Sequence, residues 1–150
     1  MRYEHTDLTK RVDGFSHAAR AMRRRLVLWG PPLVYMLLIY RFSSETDPIP
    51  IVTGHIRDKF LHLAEYAGLA ILFGRALAGE GFRESRACLY AVLLTIAYGA
   101  LDEYHQWFVP MRTADVRDWI ADAGGAAAGV VCFLFARRAF AAFFEPSPPV

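Results

Sequence analysis

Three groups of polar and ionisable residues stand at the ends of long apolar stretches: Asp58, His62 and Glu65; Asp102, Glu103 and Gln106; and Arg112, Asp118 and Asp122. Charged side chains in or beside hydrocarbon are expensive, and they persist mainly where they pair, face water or carry function. Asp58 and His62 have the one-turn spacing of a carboxylate that orients an imidazole, and histidine is the usual general acid or base near neutral pH. Glu65, about 10 Å further along a helix from Asp58 at 1.5 Å per residue, would be an intramembrane carboxyl able to hold a proton. Arg112 offers a planar, bidentate donor to a phosphate or carboxylate. Asp102, Glu103, Asp118 and Asp122 supply oxygen donors that suit a divalent cation without requiring one, and their spacing matches no metal signature. The sequence identifies no cofactor beyond that.

The elements that must position these residues are helices. Of the 150 residues, 55% are apolar, above the usual share for a soluble chain. The excess is concentrated in residues 26–40, 60–78, 87–101 and 119–136. A membrane-spanning helix needs about 20 mainly apolar residues, so the first and third stretches must recruit their flanks. A soluble four-helix bundle would show a polar face along every helix, whereas residues 27–39 and 87–100 carry no charge. The expectation is an all-α, polytopic membrane protein with four transmembrane helices in a compact bundle. Residues 1–25 read as a cytoplasmic N-terminal tail, 26–138 as the four-span membrane domain and 139–150 as a C-terminal tail.

Arg23, Arg24 and Arg25 precede the first apolar run as in a signal peptide, but no small-residue cleavage site follows, so the first span is expected to remain. Arg20 and Arg23–Arg25, then Arg75, Arg83 and Arg86, then Arg137 and Arg138 mark one side of the membrane. The positive-inside rule makes that side cytoplasmic, with both termini inside a bacterial inner membrane and the three polar groups facing outward. Cys88 and Cys132 then lie in cytoplasmic halves of their spans and read as small apolar fillers, not as a disulfide. The sequence shows no internal repeat, glycine-rich phosphate loop, nucleophile elbow or CxxC pair.

Helical phase turns particular faces inward. His62, Glu65 and Tyr66 lie on the side of Asp58, next to Lys59, and Leu69 and Leu72 extend the stripe. Thr95, Tyr98, Asp102, His105 and Gln106 share a broad face, with Glu103 turned partly away. Trp107 and Phe108 look like an interfacial anchor, and His105 could join them. Asp118, Asp122, Gly125 and Gly129 follow spacings of four, three and four, one stripe in which the GxxxG pair allows close helix approach. The same pair offers a route to a homo-oligomer. Ser43, Ser44 and Glu45 either cap the polar end or form an ordinary solvated turn.

Read as motifs, the residues are DKxxHxxEYxxL from Asp58, DExxQxFxPxR from Asp102 and DxxxDxxGxxxG from Asp118. Together they resemble the VanZ-like family of small bacterial membrane proteins, named for a member of a glycopeptide-resistance cluster associated with teicoplanin resistance. The likeness covers the second to fourth spans, with weaker support from Ser43 and Ser44. Met111 stands where the family usually has glycine. The resemblance implies a multi-span envelope protein and fixes no reaction.

The functional expectation is an outward-facing polar pocket lined by Asp58, His62, Glu65, Asp102, Gln106, Arg112, Asp118 and Asp122. It would act on or bind a cell-envelope, lipid-linked glycan or glycopeptide ligand, whether as an enzyme or as a non-catalytic binder. The alternative is a charged network that only holds the helices together. The lipid bilayer is the expected partner, and nucleic acid is not.

Overall fold

The computed structural model describes the backbone of residues 3–45, 55–110, 112 and 114–144, and the side chains of 17–45, 59–110, 112 and 114–140. The described residues form four helices and no strand: α1 (Tyr3–Ser43), α2 (His55–Gly79), α3 (Glu84–Gln106) and α4 (Val116–Phe144). Each contains a segment long and apolar enough to cross a membrane: His17–Ser43, Lys59–Gly79, Glu84–Gln106 and Val116–Phe140. The flanks do extend the two short apolar runs. α1 continues unbroken from Tyr3 through a stretch containing Ala18, Ala19, Ala21 and Met22, all good helix formers. Pro31 and Pro32 sit inside it.

Glycine decides how closely α2 and α4 pack. A Cβ on Gly125 would collide with the Leu63 carbonyl, and one on Gly129 with the Ala67 carbonyl, so only glycine lets the two backbones meet. Lower down, Gly74 leaves room for the Phe133 ring. α3 approaches through its own small stripe, Ala87, Ala91, Thr95 and Gly99, all buried. Tyr66, Leu69, Ala70, Phe73, Leu77, Ala126 and Val130 fill the space between. Spans two, three and four therefore pack together, with α2 and α4 meeting at the glycine face. That same fit buries Gly125 and Gly129 against α2 within one chain.

α1 lies outermost. Leu26, Leu33, Leu37 and Phe42 are exposed, as suits a hydrocarbon-facing helix, while Ile39 enters the core. The turn from α2 to α3 is closed by Phe82 N–H donating to Leu77 O and Gly81 N–H to Ala78 O, with Gly81 at φ +94°. This is the left-handed helix stop that glycine adopts without a Cβ clash.

The bundle has two chemically distinct ends. At one, Arg24 donates to the Gly79 carbonyl, Trp29 Nε1 donates to Glu80 at 3.1 Å, and Arg137 and Arg138 approach Glu84 at 3.9 and 3.8 Å. At the other stand the end of α1, the start of α2, the end of α3 and the start of α4. The described acid, amide and imidazole groups of the three sequence motifs belong to that second end.

Candidate functional site

His62 and Asp122 form the centre of the polar end. His62 lies about one helical turn below the start of its span and Asp122 nearly two, and the glycine-mediated approach of α2 and α4 brings them together: His62 Nδ1 lies 2.9 Å from Asp122 Oδ1. Asp122 has no exposed surface and His62 is 8% exposed. A carboxylate on Nδ1 holds the ring in one orientation and directs the Nε2 edge elsewhere. The Tyr66 ring stacks parallel to His62 at 6.3 Å between centroids, limiting its swing from the side.

One turn above, Lys59 Nζ bonds Asp118 Oδ1 at 2.5 Å and reaches Asp115 at 3.6 Å. The inward phase expected for Asp118 and Asp122 is thus observed, with both side chains buried. Lys59 is the fixed cation bonded to this acidic group among the described residues.

From α3, Asp102 and Gln106 point together as their one-turn spacing requires. Gln106 Nε2 donates to Asp102 Oδ2 at 3.2 Å and to Ser43 Oγ at 2.9 Å, tying α3 to the last residue of α1. Ser43 is buried. Tyr66 is wholly buried beside Asp122 at Gly99, and its hydroxyl closes no well-formed hydrogen bond.

Glu103, expected to turn partly away, is half-buried and belongs to the cluster. Its Oε2 accepts the Asp115 backbone N–H at 2.9 Å, which draws the side chain toward the start of α4. One donor atom each from His62, Glu103 and Asp118 falls within 4.8 Å of the others, so three helices offer a nitrogen and two oxygens to one point.

Several candidates lie elsewhere. Arg112 Nε donates to the Glu45 carbonyl at 3.1 Å, which places the guanidinium at the rim beside the end of α1. Ser44 Oγ meets His105 Nε2 at 3.0 Å, and His105 packs on Tyr40 at 4.4 Å, so His105 docks on α1 instead of joining the exposed Trp107 and Phe108. Glu65 is half-buried on α2. Asp58 lies in the α2 backbone range, but its side chain, like Met111, is outside the described residues.

Gly99 was not singled out from the sequence, although the site depends on it. A Cβ there would stand 2.8 Å from Asp122 Oδ2 and 3.2 Å from both Asp122 Cβ and Tyr66 Cε1. The available signal is spacing: Thr95, Gly99, Asp102 and Gln106 repeat the four, three, four pattern of Asp118, Asp122, Gly125 and Gly129. Two small-and-polar stripes with one rhythm face each other across the cluster.

A family model described as VanZ/LLP1 matches residues 15–137, which includes all four spans almost entirely. No curated protein and no solved structure matches the chain.

Proposed function

The chain belongs to the VanZ/LLP1 family, and we propose that the polar end of its bundle receives the anionic head of a cell-envelope amphiphile, a lipid-linked precursor or a glycopeptide. The observation that carries this reading is the buried His62–Asp122 pair at 2.9 Å within a cluster of further carboxylates. An oriented imidazole is the group best suited to give or take a proton from a bound ligand. Arg112, whose Nε is engaged by Glu45 O, has its terminal nitrogens to offer a phosphate or carboxylate at the rim.

The distribution of arginines supports a cytoplasmic location for the opposite end and for both termini, which turns the polar end outward from a bacterial inner membrane. Apolar side chains exposed along α1 and α4 give an amphiphile's tail a hydrocarbon-facing wall beside the site.

A structural reading has its own support, because Lys59–Asp118 and His62–Asp122 both tie α2 to α4. A network built only for packing would leave its buried acceptors satisfied. Here Asp102 Oδ1, Glu103 Oε1 and Asp122 Oδ2 are buried without hydrogen-bond partners, which favours a site over a clasp. The test is to express His62→Gln, Asp122→Asn and Arg112→Gln in cells and compare membrane abundance with susceptibility to teicoplanin-type glycopeptides. Variants that accumulate normally but lose the wild-type effect support a ligand site, while variants as active as wild type contradict it.

A further inference from the structure

We infer that His62, Glu103 and Asp118 bind one divalent transition cation, of the Zn2+ or Mn2+ kind, at the polar end of the bundle. The inference uses the cluster assigned above to an envelope ligand, but the cation needs no ligand in order to bind.

Geometry comes first. The three donors belong to α2, α3 and α4 and lie within 4.8 Å of one another. A cation with bonds of about 2.0–2.2 Å spaces its donors roughly 3–4 Å apart, so side-chain rotations of about an ångström close the set. Ligand chemistry narrows the ion: an imidazole with two carboxylates suits Zn2+ or Mn2+ better than the all-oxygen shells of Ca2+ or Mg2+. Three protein ligands also leave a coordination position for an incoming oxygen, as catalytic zinc sites do.

The surroundings agree. A metal-binding histidine usually gives its other ring nitrogen to a carboxylate, and His62 Nδ1 is already on Asp122. Glu103 is held by one oxygen on the Asp115 N–H. Its other oxygen, Oε1, is buried without a partner, as is Oδ2 of the fully buried Asp122. Buried carboxylates with unpartnered oxygens must be neutralised, by protons or by a cation. Asp102, Glu103, Asp118 and Asp122 outnumber Lys59 and His62, the cationic or protonatable groups bonded among them in the described residues. A dication supplies the missing charge. Lys59 is bonded to Asp118 Oδ1, and its charge weakens cation binding.

The test uses the full-length chain in nanodiscs, stripped with EDTA and titrated with Zn2+ by calorimetry and with Mn2+ by electron paramagnetic resonance. One ion per chain is expected. His62→Ala, Glu103→Gln and Asp118→Asn should each weaken binding more than tenfold, and Asp122→Asn by about 10–100-fold as an outer partner. Lys59→Met should tighten it, and Arg41→Gln, at an exposed ion pair with Glu45, should leave it unchanged. Because a ligand variant can fail to fold, thermal unfolding of the wild type is measured as well, and Zn2+ should raise its midpoint by mass action. Wild-type protein that is folded but takes up no stoichiometric ion, or variants that bind as wild type does, would overturn the inference. If wild type takes up no ion yet still binds polyprenyl phosphate, the cation site falls while the envelope-ligand reading stands. One bound ion without affinity for polyprenyl phosphate supports the cation site and removes that reading.

Discussion

Asp122 on α4 and His62 on α2 meet at 2.9 Å with the carboxylate wholly enclosed by the bundle. Removing the acid takes away the carboxylate hydrogen-bonded to a buried imidazole, which costs about 1–3 kcal/mol. Asp122→Ala should therefore lower the thermal midpoint in detergent, and Asp122→Asn, which keeps shape and a polar contact, should lower it less. Equal midpoints for all three proteins would show that the contact has no energetic weight.

The close approach of α2 and α4 predicts an asymmetric response to single methyl groups. Gly129→Ala and Gly125→Ala put Cβ against the backbone of Ala67 and Leu63, which cannot step aside as a side chain would. Overpacking of this kind costs about 1–3 kcal/mol. Gly124→Ala, one residue from Gly125, meets nothing within 4 Å and should be neutral or slightly stabilising through helix propensity. Unfolding curves for the three variants check this, and a destabilised Gly124→Ala beside an unaffected Gly129→Ala would refute the packing.

Gly99→Ala separates site from scaffold. Its Cβ would meet the Asp122 carboxylate and the edge of Tyr66, both of which can shift slightly, so the bundle should survive with a smaller loss of stability than Gly129→Ala. The His62–Asp122 geometry should not survive. Histidine nuclear magnetic resonance should show a displaced His62 resonance in a folded protein, and an unchanged resonance would contradict the contact.

Much of this was readable from the sequence because membrane helices obey two strong periodicities. Hydropathy located the spans, and helical phase turned Asp102 with Gln106, and Asp118 with Asp122, Gly125 and Gly129, toward the interior. What escaped were facts of three-dimensional approach. Glu103 lies at the edge of the inward face, and it is the Asp115 N–H, twelve residues away, that draws it in. Lys59 finds Asp118 across 59 residues of chain, a pairing no local pattern encodes. Gly99 looked like one small residue among many until Asp122 and Tyr66 were placed against it. Arg112 carried plausible chemistry by type, but its backbone directs its Nε to the Glu45 carbonyl at the rim.

Asp115 gives a pH dependence at the water-facing start of α4. Its Oδ1 accepts the Arg117 N–H at 2.8 Å, an N-cap that, with nearby Lys59 and Arg117, holds its carboxyl below the ordinary 3.8. A depressed folded-state pKa adds stability that is complete above the unfolded value and is lost as pH falls through the folded one. The stability difference between wild type and Asp115→Asn should thus be constant from neutral pH down to the ordinary carboxylate range and shrink below about 3.8. Thermal midpoints across an acid titration measure it. A difference that vanishes already at neutral pH would contradict the cap.

The most direct test of the central claim is equilibrium binding of polyprenyl phosphate to the purified chain in nanodiscs, with thermal unfolding run on each sample. Wild type should bind saturably, and folded Arg112→Gln and His62→Gln should each bind at least about tenfold more weakly, a difference of about 1.4 kcal/mol. Saturable binding that both folded variants retain in full, or no binding by folded wild type, would contradict a ligand site at the His62–Asp122 end of the bundle.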